Sequence, residues 1–264
     1  MPGASLPFKK TRTALVLRAR EIRAYLADRK GQAASAGKKN ILIYGQGRSG
    51  TTLFESLMCS TGYFSGHHEV LNTVTREVLW PTAYVRGLGR QIPGENVIAH
   101  VKPEHLTWER KAPIDPQPFL RALHEDGWTL VHIQRHNVLR QMVSKRLALA
   151  RGGFHKHGDG NEAIRLTLEP EEFAEDYARR ISWLDREDQL LVDLPHIKLS
   201  YENDFARPEA HQGAVDTVLD ALGLEARPVS TQLRKVNTFA PYELLSNAVQ
   251  LRSVFEARGW EWTL

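Results

Sequence analysis

The fold of this chain is decided by residues 41–54, which read ILIYGQGRSGTTLF. Four apolar residues predict a short buried strand, and the hydroxyl residues after Gly50 predict the start of a helix. A strand that runs through glycines into a helix gathers backbone N–H groups and the positive end of the helix dipole at one place. The loop 45–50 is therefore predicted to bind phosphate or sulfate.

Apolar runs and helical patterns alternate along the rest of the chain. Together with 41–44, the predicted strands are 97–101, 129–133 and 197–201. The predicted helices lie near 51–60, 137–150, 171–190, 208–222 and 242–258. This alternation is typical of an α/β fold whose central parallel sheet is flanked by helices, and such sheets bind ligands at the carboxyl ends of their strands.

Composition narrows the class of protein. The chain has 264 residues, of which 42% are apolar and 25% charged, and this predicts one large domain or a domain with an extension. No apolar run approaches the roughly 18 residues of a membrane span, and the polar first residues lack the apolar core of a signal peptide, so we expect a cytoplasmic protein. The single cysteine, Cys59, excludes a cysteine-built metal cage and is expected in the core.

The basic charge is concentrated at the N-terminus. The first 40 residues carry ten Lys and Arg against two acidic residues, whereas the remainder carries 25 against 29. A helix over 11–30 would group four apolar or aromatic residues on one side, Leu15, Ile22, Tyr25 and Leu26. With arginines elsewhere, this pattern can lie on an anionic membrane surface, and the alternative is a solvated arm that packs loosely. We expect residues 1–38 to form a basic helical arm and linker, and peripheral contact with the inner face of a membrane is one of these two alternatives for it.

Two other ligands compete for the glycine-rich loop. Gly45-x-Gly47-x-x-Gly50 also fits the dinucleotide fingerprint and most of a nucleoside-triphosphate loop. The latter needs a lysine at position 51, where Thr51 stands, and this disfavours a kinase. The dinucleotide fingerprint needs an acidic residue at the end of a second strand, whereas the residues before Glu69 do not predict a strand. A glycine turn that only caps the helix would bind no ligand.

Residues 47–52, Gly-Arg-Ser-Gly-Thr-Thr, resemble the 5′-phosphosulfate loop of sulfotransferases that use 3′-phosphoadenosine 5′-phosphosulfate (PAPS). That family has a P-loop-like, three-layer α/β fold. The resemblance implies that Arg48 contacts the transferring sulfonyl group while the loop holds the 5′-phosphate. The residues implied to bind the donor are Gly47, Arg48, Ser49, Gly50, Thr51 and Thr52.

A second strand, turn and helix are predicted within residues 129–144. Arg135 falls at the carboxyl end of the strand, Asn137 is a candidate N-cap, and Ser144 lies about two turns into the helix. The pattern Arg-x-Asn-x-Leu-x-Gln-x-x-Ser resembles the 3′-phosphate motif of bacterial sulfotransferases akin to the nodulation-factor enzymes, which implies that Arg135 and Ser144 bind the 3′-phosphate. The spacing in many cytosolic members would put His136 in the place of the arginine; we favour Arg135.

The same resemblance implies residues around the reacting atoms. In related enzymes a glutamate about twenty residues after the loop cation is the base, and Glu69 follows Arg48 by 21 residues. His67 and His68 are rivals, because an imidazole titrates near neutral pH. Lys102, after the next predicted strand, resembles the lysine that neutralises the bridging oxygen or holds the acceptor.

Two basic residues near the C-terminus, Arg234 and Lys235, are expected to add contacts to the 3′-phosphate. His155 and His157 could suggest a metal clip, but the surrounding glycines indicate a loop, and no metal is expected. The similarity to the family covers most of residues 40–260.

The resemblance implies transfer of the sulfonyl group from PAPS to a hydroxyl, with adenosine 3′,5′-bisphosphate (PAP) as the product and residues 39–264 as the sulfotransferase domain. The expected acceptor is a carbohydrate or glycolipid, and no nucleic-acid partner is expected. Protein-tyrosine sulfation is an alternative, because it shares the Arg-Ser-Gly-Thr-Thr loop and the glutamate spacing. The residues also leave open a nucleotide-binding module without turnover and a dinucleotide oxidoreductase.

Overall fold

The computed structural model describes residues 6–73, 76–150, 165–233 and 241–263. In chain order the elements are α1 (Leu6–Asp28), β1 (Ile41–Tyr44), α2 (Thr51–Ser60), β2 (Phe64–Glu69), α3 (Pro81–Arg90), β3 (Asn96–Val101), α4 (Pro103–Leu106), α5 (Pro116–Glu125), β4 (Thr129–Gln134), α6 (Val138–Ala150), α7 (Pro170–Leu191), β5 (His196–Ser200), α8 (His211–Ala221) and α9 (Ala248–Ala257). A single π-helical turn, Tyr201–Phe205, follows β5. Short 3₁₀ turns precede α8 and α9.

The described strands form one parallel sheet in the order β2-β3-β1-β4-β5, flanked by helices. The predicted α/β class is confirmed, and so are the four predicted strands. From β1 the chain continues to β2 on one side of the sheet, and from β4 it continues to β5 on the other side. The strand order therefore reverses between β1 and β4, which is the position where open parallel sheets bind ligands.

The prediction that no strand precedes Glu69 is wrong. Strand β2 lies at the edge of the sheet and pairs in parallel with β3, with Phe64 opposite Asn96 and Glu69 opposite His100. Its side chains are mostly half-buried or exposed, so it lacks the apolar run by which a buried strand is recognised. The strand forms because its backbone groups pair with those of β3, which is a tertiary interaction.

The chain divides into two compact units. The first unit comprises Met1–Tyr44, Gly62–Val131 and Leu194–His196, and the second comprises Gly45–Thr61, His132–Asp193 and Ile197–Leu264.

In the first unit, the predicted N-terminal helix is present as α1, and it packs directly on α3. A Cβ atom on Gly87 would lie 1.9 Å from the carbonyl oxygen of Ala24, so only glycine permits this approach. The carboxylate of Asp28 accepts hydrogen bonds from Arg86 (Nε to Oδ1, 3.0 Å) and Arg90 (Nη1 to Oδ1, 2.8 Å). Close backbone contact and ion pairs thus hold the inner side of α1 against α3.

In the second unit, helices α6, α7 and α9 share an apolar core. Its largest members are aromatic side chains that pack at an angle to one another, with the ring centroids of Tyr177 and Phe255 4.6 Å apart and those of Phe173 and Phe255 5.9 Å apart. Burial of such side chains contributes about 1.5–3 kcal/mol each. This core fixes the position of α6, which carries part of the candidate site.

Candidate anion-binding site

The loop between β1 and α2 lies directly against the backbone of β4. A Cβ atom on Gly45 would lie 2.2 Å from the carbonyl oxygen of Ile133, so a side chain at this position cannot be accommodated. Arg48 (φ +73°) and Gly50 (φ +95°) both adopt left-handed backbone conformations, and this turns the chain sharply into α2. A left-handed arginine is uncommon, and such strained residues concentrate at functional sites.

The first turn of α2 has no side-chain cap. Gly50 occupies the N-cap position; its carbonyl oxygen accepts from the N–H of Phe54 at 2.9 Å, but it has no side-chain oxygen to cap the first N–H groups of the helix. Thr51 is buried and Thr52 is half-buried at the start of the helix. The helix therefore begins with backbone donors and hydroxyl groups, which suit an anion.

Three predicted donor-binding residues come together in the second unit, and we call them the arginine cluster: Arg48, Arg135 and Ser144. Arg48 Nε donates a hydrogen bond to Ser144 Oγ at 3.2 Å, and Arg135 Nη1 donates one to the carbonyl oxygen of Arg48 at 3.2 Å. Arg135 follows β4, and Ser144 lies in the second turn of α6. The two predicted motifs thus converge on one location.

Gln141 links the loop to α6. Its side chain is fully buried, and Nε2 donates to the carbonyl oxygen of Gly47 at 2.8 Å and to Ser49 Oγ at 3.0 Å. The 3′-phosphate motif contains this glutamine, but the sequence predicts no role for it. The spacing of Gln141 and Ser144 could have predicted a role for the glutamine, because residues three apart on a helix lie on one face.

Tyr201 orients the guanidinium of Arg135, which lies 4.1 Å from the centroid of the tyrosine ring. Tyr201 begins the π-helical turn after β5, a feature that is frequent at functional sites. Stacking of this kind holds the planar guanidinium in one orientation. The sequence predicts that a strand ends at Tyr201 but predicts no contact for this residue.

The carboxylate of Glu202 caps the start of α6. It accepts hydrogen bonds from the backbone N–H groups of His136 at 3.2 Å and Asn137 at 3.1 Å. The predicted N-cap is confirmed, because Asn137 Oδ1 accepts from the N–H of Arg140 at 2.9 Å. These backbone donors are therefore engaged, and an anion beside α6 would be bound by the side chains of Arg135 and Ser144.

Arg135 lies near groups of both like and opposite charge. Burial lowers the pKa of Arg135, and the neighbouring Arg48 and Arg140 act in the same direction, while Tyr201 and Glu202 oppose it. The Nε atom of Arg135 is buried and has no hydrogen-bond partner among the described residues. The arginine cluster therefore brings two cationic side chains together, which suits an anionic ligand.

Glu69 lies at the centre of a second group of side chains, in the first unit, which we call the carboxylate cluster: Glu69, Asn72, Lys102 and His105. Lys102 Nζ lies 2.5 Å from Glu69 Oε1, Asn72 Nδ2 donates to Oε2 at 2.9 Å, and His105 Nε2 lies 4.0 Å from Oε2. Burial by itself would raise the pKa of Glu69, but the charge and hydrogen bond of Lys102, with His105 and His100, hold that pKa below its ordinary value. The carboxylate is therefore ionised at neutral pH.

The two rival histidines have different surroundings. The ring of His67 contacts the guanidinium of Arg20. His68 is exposed and has a left-handed backbone (φ +55°) at the bulge where β2 meets β3. Glu69, by contrast, is paired with Lys102, and its pKa is lowered.

Cys59 is half-buried on α2 rather than in the core. Burial, with the nearby charge of Glu55, raises the pKa of its thiol to about 11. The thiol is therefore protonated at neutral pH, and this argues against a role as a nucleophile.

Four residues singled out from the sequence lie outside the described residues: Arg234, Lys235, His155 and His157. Among the described residues, no group of three or more His, Cys, Asp or Glu is placed to hold a metal ion. No described helix has both the length and the apolar character to cross a membrane.

The dinucleotide alternative meets a different objection from the one raised by the sequence. Glu69 does end a second strand, as the fingerprint requires. In dinucleotide-binding sheets, however, the second strand lies beside the first, whereas here β3 separates β2 from β1. The Glu69 carboxylate is also paired with Lys102. The strand order therefore disfavours this alternative.

No model of a known protein family matches the chain. A search of the curated proteins gave no match either.

Proposed function

We propose that this protein is a sulfotransferase that moves the sulfonyl group of PAPS to a hydroxyl group of a carbohydrate or glycolipid and releases PAP. The observation that carries the proposal is the convergence of Arg48, Arg135 and Ser144 beside the uncapped start of α2. PAPS and PAP carry phosphate groups at both the 3′ and the 5′ position, and this matches a site that combines a helix N-terminus with two arginines.

The proposal divides the donor between two parts of the site. Ser49, Thr51 and Thr52, with the backbone of the loop, would hold the 5′-phosphosulfate. Arg135 and Ser144 would hold the 3′-phosphate through the guanidinium charge and the hydroxyl group. Arg48 would then turn from Ser144 to the sulfonyl oxygens. Gln141 keeps the loop in place during this exchange.

The reaction requires only positioning, charge stabilisation and one proton transfer. The acceptor oxygen forms a bond to sulfur while the bond from sulfur to the bridging oxygen of the 5′-phosphate breaks, and PAP leaves with the bonding electrons. Glu69 is proposed to take the acceptor proton, and Lys102 to stabilise the bridging oxygen. In the first unit, Glu69 ends strand β2 and Lys102 directly follows strand β3. The ion pair with Lys102 keeps Glu69 ionised and able to accept a proton.

The acceptor class in this proposal comes from the resemblance of residues 135–144 to enzymes that sulfate carbohydrates. It is tested by incubating the protein with PAPS labelled in the sulfonyl group and either a lipid extract or a peptide panel that contains tyrosine. We expect labelled product from the lipid extract. Label in the peptides would replace the carbohydrate acceptor with tyrosine, and the absence of label with every acceptor would favour a nucleotide-binding module.

The donor is tested by thermal unfolding in the presence of PAP, 3′-AMP, 5′-AMP, ATP and NADP. PAP at about a hundred times its dissociation constant should stabilise the protein by about 2.7 kcal/mol, or about 5–10 °C in melting temperature. The monophosphates should have smaller effects, because each engages one part of the site. Stabilisation by NADP that exceeds the effect of PAP would contradict the proposal.

A further inference from the structure

The side of α1 that faces away from α3 carries a row of exposed apolar side chains. Leu15, Ile22 and Leu26 are 66%, 57% and 57% exposed, and their spacing of seven and four residues places them on one face of the helix. Leucine and isoleucine are among the residues most often buried in folded proteins, so three of them exposed in line along one helix require an explanation.

Cationic side chains border this row on both sides. Arg18 lies along one border and Arg23 along the other, while Arg29 and Lys30 follow directly after the end of α1; all four are exposed. We call the seven residues together the outer face of α1: Leu15, Arg18, Ile22, Arg23, Leu26, Arg29 and Lys30.

The acidic residues of this segment point away from the outer face. Between residues 15 and 30 the acids are Glu21 and Asp28. Glu21 is buried and paired with Arg76, and Asp28 is paired with Arg86 and Arg90. The charge of the four cations on the outer face is therefore not neutralised by acids of α1 itself.

Two further exposed residues extend the apolar surface. Leu79 and Trp80 are 66% and 59% exposed. Their backbone N–H groups donate to Glu21 Oε1 at 3.1 Å and to the hydroxyl of Tyr25 at 3.0 Å, and the rings of Tyr25 and Trp80 pack edge to face. These bonds fix Trp80 beside α1, and tryptophan is the residue that favours the boundary between lipid and water.

We propose that the outer face of α1, with Leu79 and Trp80, docks on the surface of an anionic lipid bilayer. A helix that lies in the plane of a bilayer needs an apolar row to enter the acyl boundary and long cationic side chains on both borders to reach the lipid phosphates. The outer face of α1 has both features, and its positive charge complements an anionic headgroup layer. The proposed contact involves only the surface of the bilayer.

The test is co-sedimentation of the full-length protein with vesicles of phosphatidylcholine, with and without phosphatidylglycerol. Binding is expected only with phosphatidylglycerol and should weaken as salt is added, because surface charges are screened. Replacing Arg18, Arg23 and Arg29 together by alanine should lower the partition coefficient about a hundredfold, at about fivefold for each cation. Ile22→Ser with Leu26→Ser should also lower it, by at least tenfold.

Matched controls are available elsewhere in the chain. Val192 is 74% exposed and Arg121 is exposed, so Val192→Ser and Arg121→Ala change similar residues outside the outer face. These controls should bind vesicles as the unmodified protein does, and all variants should keep its melting temperature, since the substituted side chains are exposed. The salt dependence of the unmodified protein provides a measurement that needs no variant.

Three results would overturn the proposal. The first is equal binding to vesicles with and without phosphatidylglycerol, and the second is unchanged binding by the outer-face variants. The third is a dimer of the unmodified protein that the same substitutions dissociate, which would assign the outer face to a second copy of the chain. None of these measurements uses sulfonyl transfer, so the proposal stands or falls independently of the enzymatic function.

Discussion

The carboxylate cluster of the first unit and the arginine cluster of the second unit differ in how their charges are balanced. In the carboxylate cluster, Glu69 is paired with Lys102, so the charges compensate each other. In the arginine cluster, Arg48 lies against Arg135, and a buried N–H of Arg135 has no partner among the described residues. The comparison teaches that the first cluster balances its own charge, whereas the second brings two cations together, as the proposed binding of an anionic donor needs.

The largest expected effect concerns the carboxylate cluster. Glu69→Gln keeps the shape of the side chain but removes the proton acceptor, so turnover with PAPS should fall by about 10²–10⁴-fold. Binding of PAP should stay near its normal value, since the proposed phosphate contacts come from other residues. Comparable turnover in this variant, measured with labelled PAPS, would remove Glu69 from the reaction.

The arginine cluster is tested by Arg135→Ala. Loss of charge-assisted hydrogen bonds to a phosphate costs about 1.5–3 kcal/mol, so the dissociation constant of PAP should rise about 10- to 100-fold by calorimetry. Arg140→Ala is the matched control, because Arg140 is an exposed arginine on the same helix. Equal losses in the two variants would mean that general positive charge, rather than a phosphate contact by Arg135, binds PAP.

A smaller effect is expected when the loop loses its support. Gln141→Leu keeps the approximate volume but leaves the carbonyl oxygen of Gly47 and the hydroxyl of Ser49 without this donor. An unsatisfied buried polar group costs about 1–3 kcal/mol, and the loosened loop should bind PAP about tenfold more weakly. Chemical unfolding and calorimetry measure the two effects. Normal PAP affinity in a destabilised variant would limit Gln141 to a structural role.

The smallest effect is a shift of the pH profile, measured apart from the loss of turnover that Lys102→Met should also cause through its proposed contact with the bridging oxygen. In this variant the main attraction that lowers the pKa of Glu69 is removed, while burial, which raises that pKa, remains. A base is active when deprotonated, so the rate falls as the pH drops through its pKa, and the acidic limb of the profile of kcat/KM should move to higher pH. A limb that stays in place would separate Lys102 from the base.

Local patterns predict the elements that have strong periodicity. Strand β1 and the loop after it follow from one stretch, because an apolar run, glycines and hydroxyl residues each restrict the backbone locally. The predicted bounds of helices α2, α6 and α7 lie within a few residues of their observed ends. Strand β2 escapes prediction because an edge strand with half-exposed side chains has no such pattern.

The members of the candidate site are predictable from the sequence, but their contacts are not. Two motifs identify Arg48, Arg135 and Ser144, whereas the roles of Gln141, Tyr201 and His105 emerge only from the structure. Each of these three residues contacts a partner that is distant in the sequence. Such contacts depend on which strands are neighbours in the sheet.

The sequence by itself determined the α/β class, the glycine-rich loop and the arginines that follow two strands, since these follow from periodicity, backbone freedom and residue type. The tertiary structure decided which charges meet: Glu69 with Lys102 in one unit, and Arg48 with Arg135 in the other. The physical reason is that the strength of an electrostatic interaction depends on distance and burial. Both are set by the order of the strands and by the packing of the helices, which no local pattern contains.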